Sequence, residues 1–513
     1  MALEEERKYE VTQSFVVPDL HGCLPDGGAV VAGDPVTLTA TYYDTDDFRL
    51  ARAGASLRYR RGDQRPWTVK LPTGTAGIRH EISRPGRPGT PPAELTDLVT
   101  ATTRGAPIAP VARIRTRRRG YQLRDSAGRV LAELADDTVS VLDGQRIREK
   151  FREVEVERGD GDRALLDRVG AALVEAGGAS PADQPRFQSK YARAVGEAAA
   201  GTPDLPPPQP LPARPLAGDV VTQAIRRSVT RIFAHDPLLR LRTNLPDGDT
   251  PVHQMRVGCR RLRSDLATFD PLVDPQWAKR LRRKLRWLAR ALGAARDAEV
   301  LRTRLHRTAA DPLVPVDAKA VARIDAVLAA RQAEALEAIE QAVGSQRYLA
   351  LLDRLVEAAQ RPRLTALAAA SAQEVLPRLV AGPWREFAFG PRGVGGATDL
   401  TPDAPDEDWH QVRINGKRAR YAIEAVAEVI GGAAPKLAKR LAAVQDLLGE
   451  HQDAAVAAET WLAAARSDPD DHALAIAAGR LYERERAAIR RVRKQFPAAW
   501  QAATDRKLTA WLP

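Results

Sequence analysis

One pattern occurs twice in this chain. His253-Gln254-Met255-Arg256-Val257-Gly258-Cys259-Arg260-Arg261-Leu262-Arg263 returns as His410-Gln411-Val412-Arg413-Ile414-Asn415-Gly416-Lys417-Arg418-Ala419-Arg420. At about 100° per residue, the leading position and those three, seven and ten residues on fall within an arc of roughly 80° on a helix. His253, Arg256, Arg260 and Arg263 therefore share a face, as do His410, Arg413, Lys417 and Arg420. Arg261 and Arg418 stand beside these stripes. The echo continues downstream. Lys279-Arg280-Leu281-Arg282-Arg283-Lys284-Leu285-Arg286 and then Leu292-Gly293-Ala294-Ala295-Arg296-Asp297 follow the first copy. Lys436-Leu437-Ala438-Lys439-Arg440-Leu441 and then Leu448-Gly449-Glu450-His451-Gln452-Asp453 follow the second. The repeated order predicts an internal duplication in a helical region.

A stripe of like charges is costly to assemble unless something negative lies against it. One basic helix alone reads as a solvated face. Two copies at one spacing read as a functional basic surface. Its candidate residues are His253, Arg256, Arg260, Arg261, Arg263, Lys279, Arg282, Arg283 and Arg286 in the first copy. Those of the second are His410, Arg413, Lys417, Arg418, Arg420, Lys436, Lys439 and Arg440. Each leading histidine stands with several cations and no local carboxylate pair, so a hydrogen bond to phosphate or a packing role is expected over metal ligation. Asp297 and Asp453 suit either orienting arginines or capping helices.

The charge balance agrees. The net charge is +12 with a pI near 9.9, which favours polyanionic partners. Residues 1–200 hold 30 Lys+Arg and 29 Asp+Glu, so the excess belongs to residues 201–513. A chain of 513 residues is too long for one ordinary domain. Gly201 to Pro212 is a proline-rich linker, and with its flank it sets a boundary at 201–215. Residues 216–513 read as helical throughout, rich in Ala, Leu, Arg and Glu at 3.6-residue spacing. A Gly/Pro/Asp-rich stretch, Phe387 to Asp408, separates halves at about 216–386 and 409–513.

Cys23 and Cys259 are the only cysteines, so neither a disulfide framework nor a thiolate metal site is expected. Charged residues begin at Glu4, without the apolar run of a secretory leader, and no stretch is long and apolar enough to span a membrane. A cytoplasmic location is the expectation.

Residues 1–200 read as strands first. Glu4, Glu6, Lys8 and Glu10 alternate on one face, as do Arg58 and Arg60 in Ser56 to Arg61. Lys70 lies in Trp67 to Leu71 and Glu81 in Arg79 to Ser83. Arg113, Arg115 and Arg117 share a face in Arg113 to Arg117. Val130 to Leu134 and Val139 to Leu142 are short strands. Phe151 to Val156 carries Glu153 and Glu155, with Glu157 one step beyond. Leu165 to Ala176 and Tyr191 to Ala200 read as helices closing the domain. Charges are of one sign within a strand and opposite between strands. Such a set lines a closed barrel that holds polyphosphate and its metal, or else pairs across strands on an outer face.

Glu4-x-Glu6-x-Lys8 resembles the N-terminal signature of CYTH domains, the triphosphate tunnel metalloenzymes. Tyr43-Asp44-Thr45, Leu57-Arg58-Tyr59-Arg60, Thr68-Val69-Lys70, Glu153 to Glu157 and Ser189-Lys190 follow in that family's order. The resemblance covers about residues 3–197. It implies an eight-stranded antiparallel tunnel that hydrolyses or rearranges triphosphates with Mg²⁺ or Mn²⁺. It also implies Glu4, Glu6, Glu155 and Glu157 on the metal side, and Lys8, Arg58, Arg60, Lys70, Arg113, Arg115 and Lys190 on phosphate. Glu133 and Asp136 are further candidates.

Residues 216–513 resemble the CHAD domain, the conserved histidine α-helical domain. The two His-led motifs and Leu448-Gly449-x-His451-x-Asp453 carry the match. The first half departs from it, since Arg296 stands before Asp297 with no histidine in the place of His451. The resemblance implies a pair of four-helix bundles related by internal duplication, and binding of inorganic polyphosphate. The expected whole is thus a two-domain α+β protein. Its tunnel (1–200) hydrolyses inorganic triphosphate or polyphosphate, with Glu4, Glu6 and Lys8 in the reaction, and its helical part (216–513) binds polyphosphate, bringing the chain to polyphosphate deposits. The rivals are adenylate cyclisation or thiamine triphosphate hydrolysis in the tunnel, and a non-enzymatic scaffold for polyphosphate or nucleic acid. Few aromatics (5%) and no helix-turn-helix spacing weigh against nucleic acid.

Overall fold

The computed structural model describes residues 2–178, 189–196, 201–311 and 315–513. They form two compact units, Met1–Asp204 and Leu205–Pro513.

The first unit is built from β1 (Ala2–Val11), β2 (Ala29–Ala32), β3 (Val36–Asp44), β4 (Ser56–Arg61), β5 (Trp67–Pro72), β6 (Ile78–Arg84), β7 (Ala109–Arg124), β8 (Val130–Asp143) and β9 (Arg146–Arg158). Its helices are α1 (Arg49–Arg52), α2 (Ala93–Leu98), α3 (Thr100–Thr103), α4 (Arg163–Glu175) and α5 (Lys190–Val195). The strands run β7-β3-β4-β5-β6-β1-β9-β8, and β8 pairs back to β7, which closes an eight-stranded antiparallel barrel. β2 adds to β7 outside the ring.

The unusual strand pattern follows from an inverted barrel. Tyr9, Val11, Leu134, Val154 and Val156 point outward and are buried under Leu165, Leu166, Val169 and Leu173 of α4. The charged residues alternating with them point inward. At one end α5 inserts Tyr191, Ala194 and Val195 against Ala40, Tyr42, Ile114, Val139, Val141 and Phe151. Residues 197–200, expected to extend this helix, lie outside the described residues.

Two readings of the strands are corrected. Val130 to Leu134 and Val139 to Leu142 belong to the single strand β8. Asp136 and Asp137, between them, alternate across it: Asp136 faces out to Arg152 at 2.7 Å and Asp137 faces in. In β7, the inward positions are Ile114, Thr116 and Arg118, while Arg113, Arg115 and Arg117 are exposed on the outer face. A run of arginines at 113, 115 and 117–119 offers cations to both faces, and the buried Ile114 and Thr116 fix which face is inside.

The second unit is helical: α6 (Ala217–Leu241), α7 (Pro251–Thr268), α8 (Pro275–Ala309), α9 (Ala318–Val343), α10 (Gln346–Gln360), α11 (Ala372–Phe389), α12 (Asp406–Ile430), α13 (Ala433–Ser467), α14 (His472–Ala503) and α15 (Arg506–Thr509). The first motif opens α7, where Thr250 caps the helix and Pro251 takes the first turn, whose N–H has no intrahelical partner to lose. Met255, Cys259, Leu262 and Leu266 of α7 are buried, at helical spacing, opposite its arginines. Val412, Ala419, Ile423 and Val426 do the same in α12. The two motif-bearing helices pack on each other. α11, on the N-terminal side of the Gly/Pro/Asp-rich loop, packs along α12. The loop therefore joins two helices of one bundle, and the second half begins at α11, earlier than residue 409.

Candidate functional site: a charged tunnel and a basic groove

The barrel encloses a cavity of about 550 Å³. Glu4, Glu6 and Lys8 enter it from β1, Arg58 and Arg60 from β4, and Lys70 from β5. Arg79 and Glu81 come from β6, Arg118 from β7, Glu133 from β8, Glu155 and Glu157 from β9, and Lys190 from α5. Arg118, Arg79 and Glu81 were not among the expected site residues. An inward parity for β7, read from Ile114, would have found Arg118.

The cross-strand register sorts the charges into two groups. Glu6, Glu157 and Glu133 are successive partners across β1, β9 and β8. Glu4 lies two residues along β1 and accepts from Lys70 at 2.6 Å. Glu6 is 3.3 Å from Lys8 and 3.9 Å from Arg79. Glu157 makes no ion pair among the described residues, and burial beside Glu4 pushes its carboxyl up to about 7. Burial likewise raises Glu4, against the pull of Lys70. Glu4 and Glu6 are buried and Glu133 and Glu157 open to solvent, and crowding that raises Glu4 and Glu157 makes this group a place for a cation. Their oxygens are hard donors of the kind Mg²⁺ and Mn²⁺ take.

The second group is already neutralised. Lys190 reaches Asp137 at 2.6 Å, Glu153 at 2.8 Å and Glu155 at 3.0 Å. Arg118 reaches Asp137 at 2.6 Å and Glu155 at 2.9 Å, and Lys8 also bonds Glu155. Although burial works to raise it, Glu155 is held well below the usual carboxylate range by Lys190, Lys8 and Arg118. Asp137, Glu153 and Glu155 have oxygens close enough to share an ion. In this structure the lysine ammonium fills that role. Glu155, expected on the metal side, is in the acidic cluster that could hold an ion and is here paired with Lys190, which was expected on phosphate. Asp137 and Glu153 take the inward place at which Asp136 was a candidate.

Arg58 forms no ion pair among the described residues; although burial works against it, the hydrogen-bonded Tyr42 and the nearby Glu81 favour its charged form, and its buried Nε has no hydrogen-bond partner. Arg60 is bonded to Asp63 at 2.5 Å.

In the helical unit, α7 and α12 bring their stripes to one cavity of about 720 Å³. Arg256, Arg260 and Arg263 line it from α7, Arg413, Lys417 and Arg418 from α12, and Arg282 from α8. The Nε atoms of Arg260, Arg263 and Arg413 are buried there without a protein partner. Burial, then Arg413 and Arg260, pushes the Lys417 ammonium down to about 6. Arg256 donates to Asp297 at 2.9 Å, and Arg413 stands 3.9 Å from Asp453. The two aspartates lie in mid-helix, so they orient arginines and do not cap. They do so at equivalent places in the two copies.

Other expected members lie elsewhere. Arg420 is paired to Glu424 at 2.6 Å and Arg261 to Glu424 at 2.9 Å, and neither is in the groove lining. Lys279, Arg283, Arg286, Lys436, Lys439 and Arg440 are exposed outside that lining. His253 lies in the first turn of α7, where burial and then Arg296 push it down to about 4. His410 is exposed and bonds Gln452 through Nδ1 at 2.5 Å. His451 is buried, stacked on Trp409 at 4.8 Å, and accepts from Arg493 Nε at 3.1 Å. Its role is packing. Among the described residues no helix is long and apolar enough to cross a membrane.

Comparison with known proteins gives a CYTH domain over residues 2–181 and a CHAD domain over 223–462. Protein MT2285 of Mycobacterium tuberculosis (strain CDC 1551 / Oshkosh), described as uncharacterized, is 33% identical over 521 residues, covering 97% of this chain and 95% of its own. PptA from Streptomyces chartreusis is 27% identical with a TM-score of 0.45, over 56% of this chain and 99% of that one. The CHAD domain from the plant Ricinus communis is 24% identical with a TM-score of 0.38, over 60% of this chain and 94% of that one. A closed barrel lined with Glu-x-Glu-x-Lys and a duplicated His-led helical region, each matched in its own half, make this chain a member of the family of proteins that join a CYTH domain to a CHAD domain.

Proposed function

We propose that the tunnel hydrolyses inorganic triphosphate or the end of a polyphosphate chain with Mg²⁺ or Mn²⁺, and that the α7–α12 groove binds polyphosphate. CYTH domains typically act on phosphoanhydrides and depend on a metal. The observation that carries the reading is the enclosure in one cavity of the carboxylates Glu4, Glu6 and Glu157, the last raised to about 7, with Arg58, a cation in no ion pair among the described residues and with its buried Nε unbonded.

Glu4, Glu6 and Glu157 would hold the metal, which when bound supplies charge neutralisation and polarises the phosphoanhydride. The chain's own cations do the rest. Phosphoryl transfer needs positioning and charge stabilisation more than covalent help. Arg58 offers its unbonded Nε–H to a non-bridging oxygen. Arg60, Lys70 and Arg79 exchange carboxylate partners for phosphate as substrate enters. Lys8, Arg118 and Lys190 keep Glu155, Glu153 and Asp137 neutralised, so a polyanion meets no net repulsion at the closed end. In the groove, the unpartnered Nε atoms of Arg260, Arg263 and Arg413 are donors awaiting an anion.

Phosphate release from inorganic triphosphate with Mg²⁺ or Mn²⁺, on wild type and on Glu4→Gln/Glu6→Gln, tests the tunnel. Metal-dependent release that vanishes in the variant supports it, and no release with either metal refutes it. A triphosphate ester is the second reading, favoured by the apolar Val31, Val36 and Leu38 in the lining on β2 and β3. Turnover of ATP or thiamine triphosphate in preference to inorganic triphosphate would select it.

A further inference from the structure

The groove uses one side of α8, through Arg282. At about 100° per residue Lys284 lies roughly 200° around the helix from Arg282, with Arg283 halfway. Lys284 is half-buried there. Burial lowers its ammonium pKa, and so in turn do Arg354, Arg347 and Arg283. Arg347 and Arg354 come from α10 and, seven residues apart, share one of its faces. Both are exposed. The Arg347 guanidinium lies over the Trp287 ring of α8, 4.3 Å from its centroid. No carboxylate among the described residues forms an ion pair with Arg283, Lys284, Arg347 or Arg354.

A cluster of unpaired cations on a folded surface costs free energy that an anion recovers. The stack on Trp287 holds Arg347 in one orientation, with its N–H edges free for phosphate. We propose that the α8–α10 face is a second polyphosphate contact, and that a long chain lying in the groove continues around α8, past Arg283, onto Lys284, Arg347 and Arg354. The inference rests on the groove being a polyphosphate site. It favours polyphosphate over nucleic acid because Arg347 already covers a face of Trp287, which leaves no aromatic there free on both sides for a base. A uniform anionic chain asks only for cations at intervals.

The test uses the full chain and two triple variants: Lys284→Gln/Arg347→Gln/Arg354→Gln for the face, and Arg260→Gln/Arg413→Gln/Lys417→Gln for the groove. Binding of inorganic triphosphate, long-chain polyphosphate and duplex DNA is measured at several salt concentrations. The face variant is expected to bind the long chain about tenfold more weakly, with a shallower salt dependence, and the short chain as wild type does. The groove variant is expected to lose both. Unchanged long-chain binding in the face variant overturns the second contact while the groove reading stands. Unchanged binding of both lengths in the groove variant overturns the groove reading and the inference with it. Duplex DNA that displaces long polyphosphate at equal phosphate concentration, and does so only with the face intact, reassigns the face to nucleic acid and overturns the proposal. Matching thermal melting of the variants and wild type separates these outcomes from misfolding.

Discussion

Lys417 shows what the groove does to a single charge. Burial and neighbouring cations lower its ammonium to about 6, so in the free protein near pH 7 it is mostly neutral. A phosphate against it restores the charge, so binding takes up a proton. Between the free and bound pKa values, affinity therefore falls as pH rises. Titration of polyphosphate from pH 6 to 8 is expected to show weakening of up to about tenfold per unit in wild type, and a flatter profile in Lys417→Met. His451 makes the opposite kind of prediction. Burial, then Arg493, lowers its folded pKa to about 4 from an ordinary 6.5. A depressed histidine contributes stability that is complete above the unfolded value and is lost as pH falls through the folded one. Denaturant melts between pH 7 and pH 4 should lose on the order of 3 kcal/mol that His451→Gln does not lose. The sequence pointed to the inward side chains of β1, β4 and β5 through the alternating sets Glu4/Glu6/Lys8 and Arg58/Arg60 and the lone charge Lys70, in spite of Glu5, Arg7 and Arg61 on the other parity. It did not reveal those of β7 and β8. Arginines at 117–119 and the pair Asp136-Asp137 put charge on both parities; in β7 Ile114 and Thr116 mark the inner face, and in β8 the partners across the sheet decide.

At the scale of elements, α5 is the piece that sets the closed end of the tunnel. It brings Lys190 to three carboxylates, and its neighbour Tyr191 stacks on Tyr42 at 4.8 Å and donates to the buried Asp44 at 2.6 Å. Asp44 also accepts from the backbone N–H groups of Leu50 and Ala51, so the tyrosine is fastened to the start of α1. Tyr191→Phe leaves Asp44 short of one donor, and chemical denaturation should find the protein less stable by about 1–3 kcal/mol. The motif helices have their own spacer. A methyl on Gly416 would come within 2.9 Å of the Phe387 ring of α11. Gly416→Ala should therefore destabilise by roughly 1–3 kcal/mol in spite of alanine's better helix propensity, read as a lower melting temperature. The sequence announced α7 and α12 plainly, through a basic stripe repeated at helical spacing. It concealed that the histidines leading each stripe stand outside the lining of the groove. A helical wheel gives the angle of a residue and not how far along the axis the partner helix reaches.

For the whole molecule, the division of the chain into one compact unit ending at Asp204 and another beginning at Leu205 lets the proposed binding and the proposed turnover be altered separately. If the groove tethers long chains for the tunnel, Arg260→Gln/Arg413→Gln/Lys417→Gln in the full chain should slow phosphate release from long polyphosphate several-fold at low substrate. Release from inorganic triphosphate should stay unchanged, because tethering acts through local concentration. Equal rates on long chains would remove the tether. The duplication was legible because two motifs keep one spacing. The membership of α11 was not, since composition places a break at the loop while packing ignores it. The ring of strands has a further consequence, in time. Among the described residues β1 pairs with β6 and β9 and with no other strand. At a synthesis rate of about 5–20 residues/s, the strand made first waits on the order of ten seconds for β9 to emerge. Until then Glu4, Glu6 and Lys8 have no wall facing them, and the barrel cannot close by local contacts as the helices can. The unit should therefore fold late and slowly, and the helical unit that follows it on the chain should fold fast.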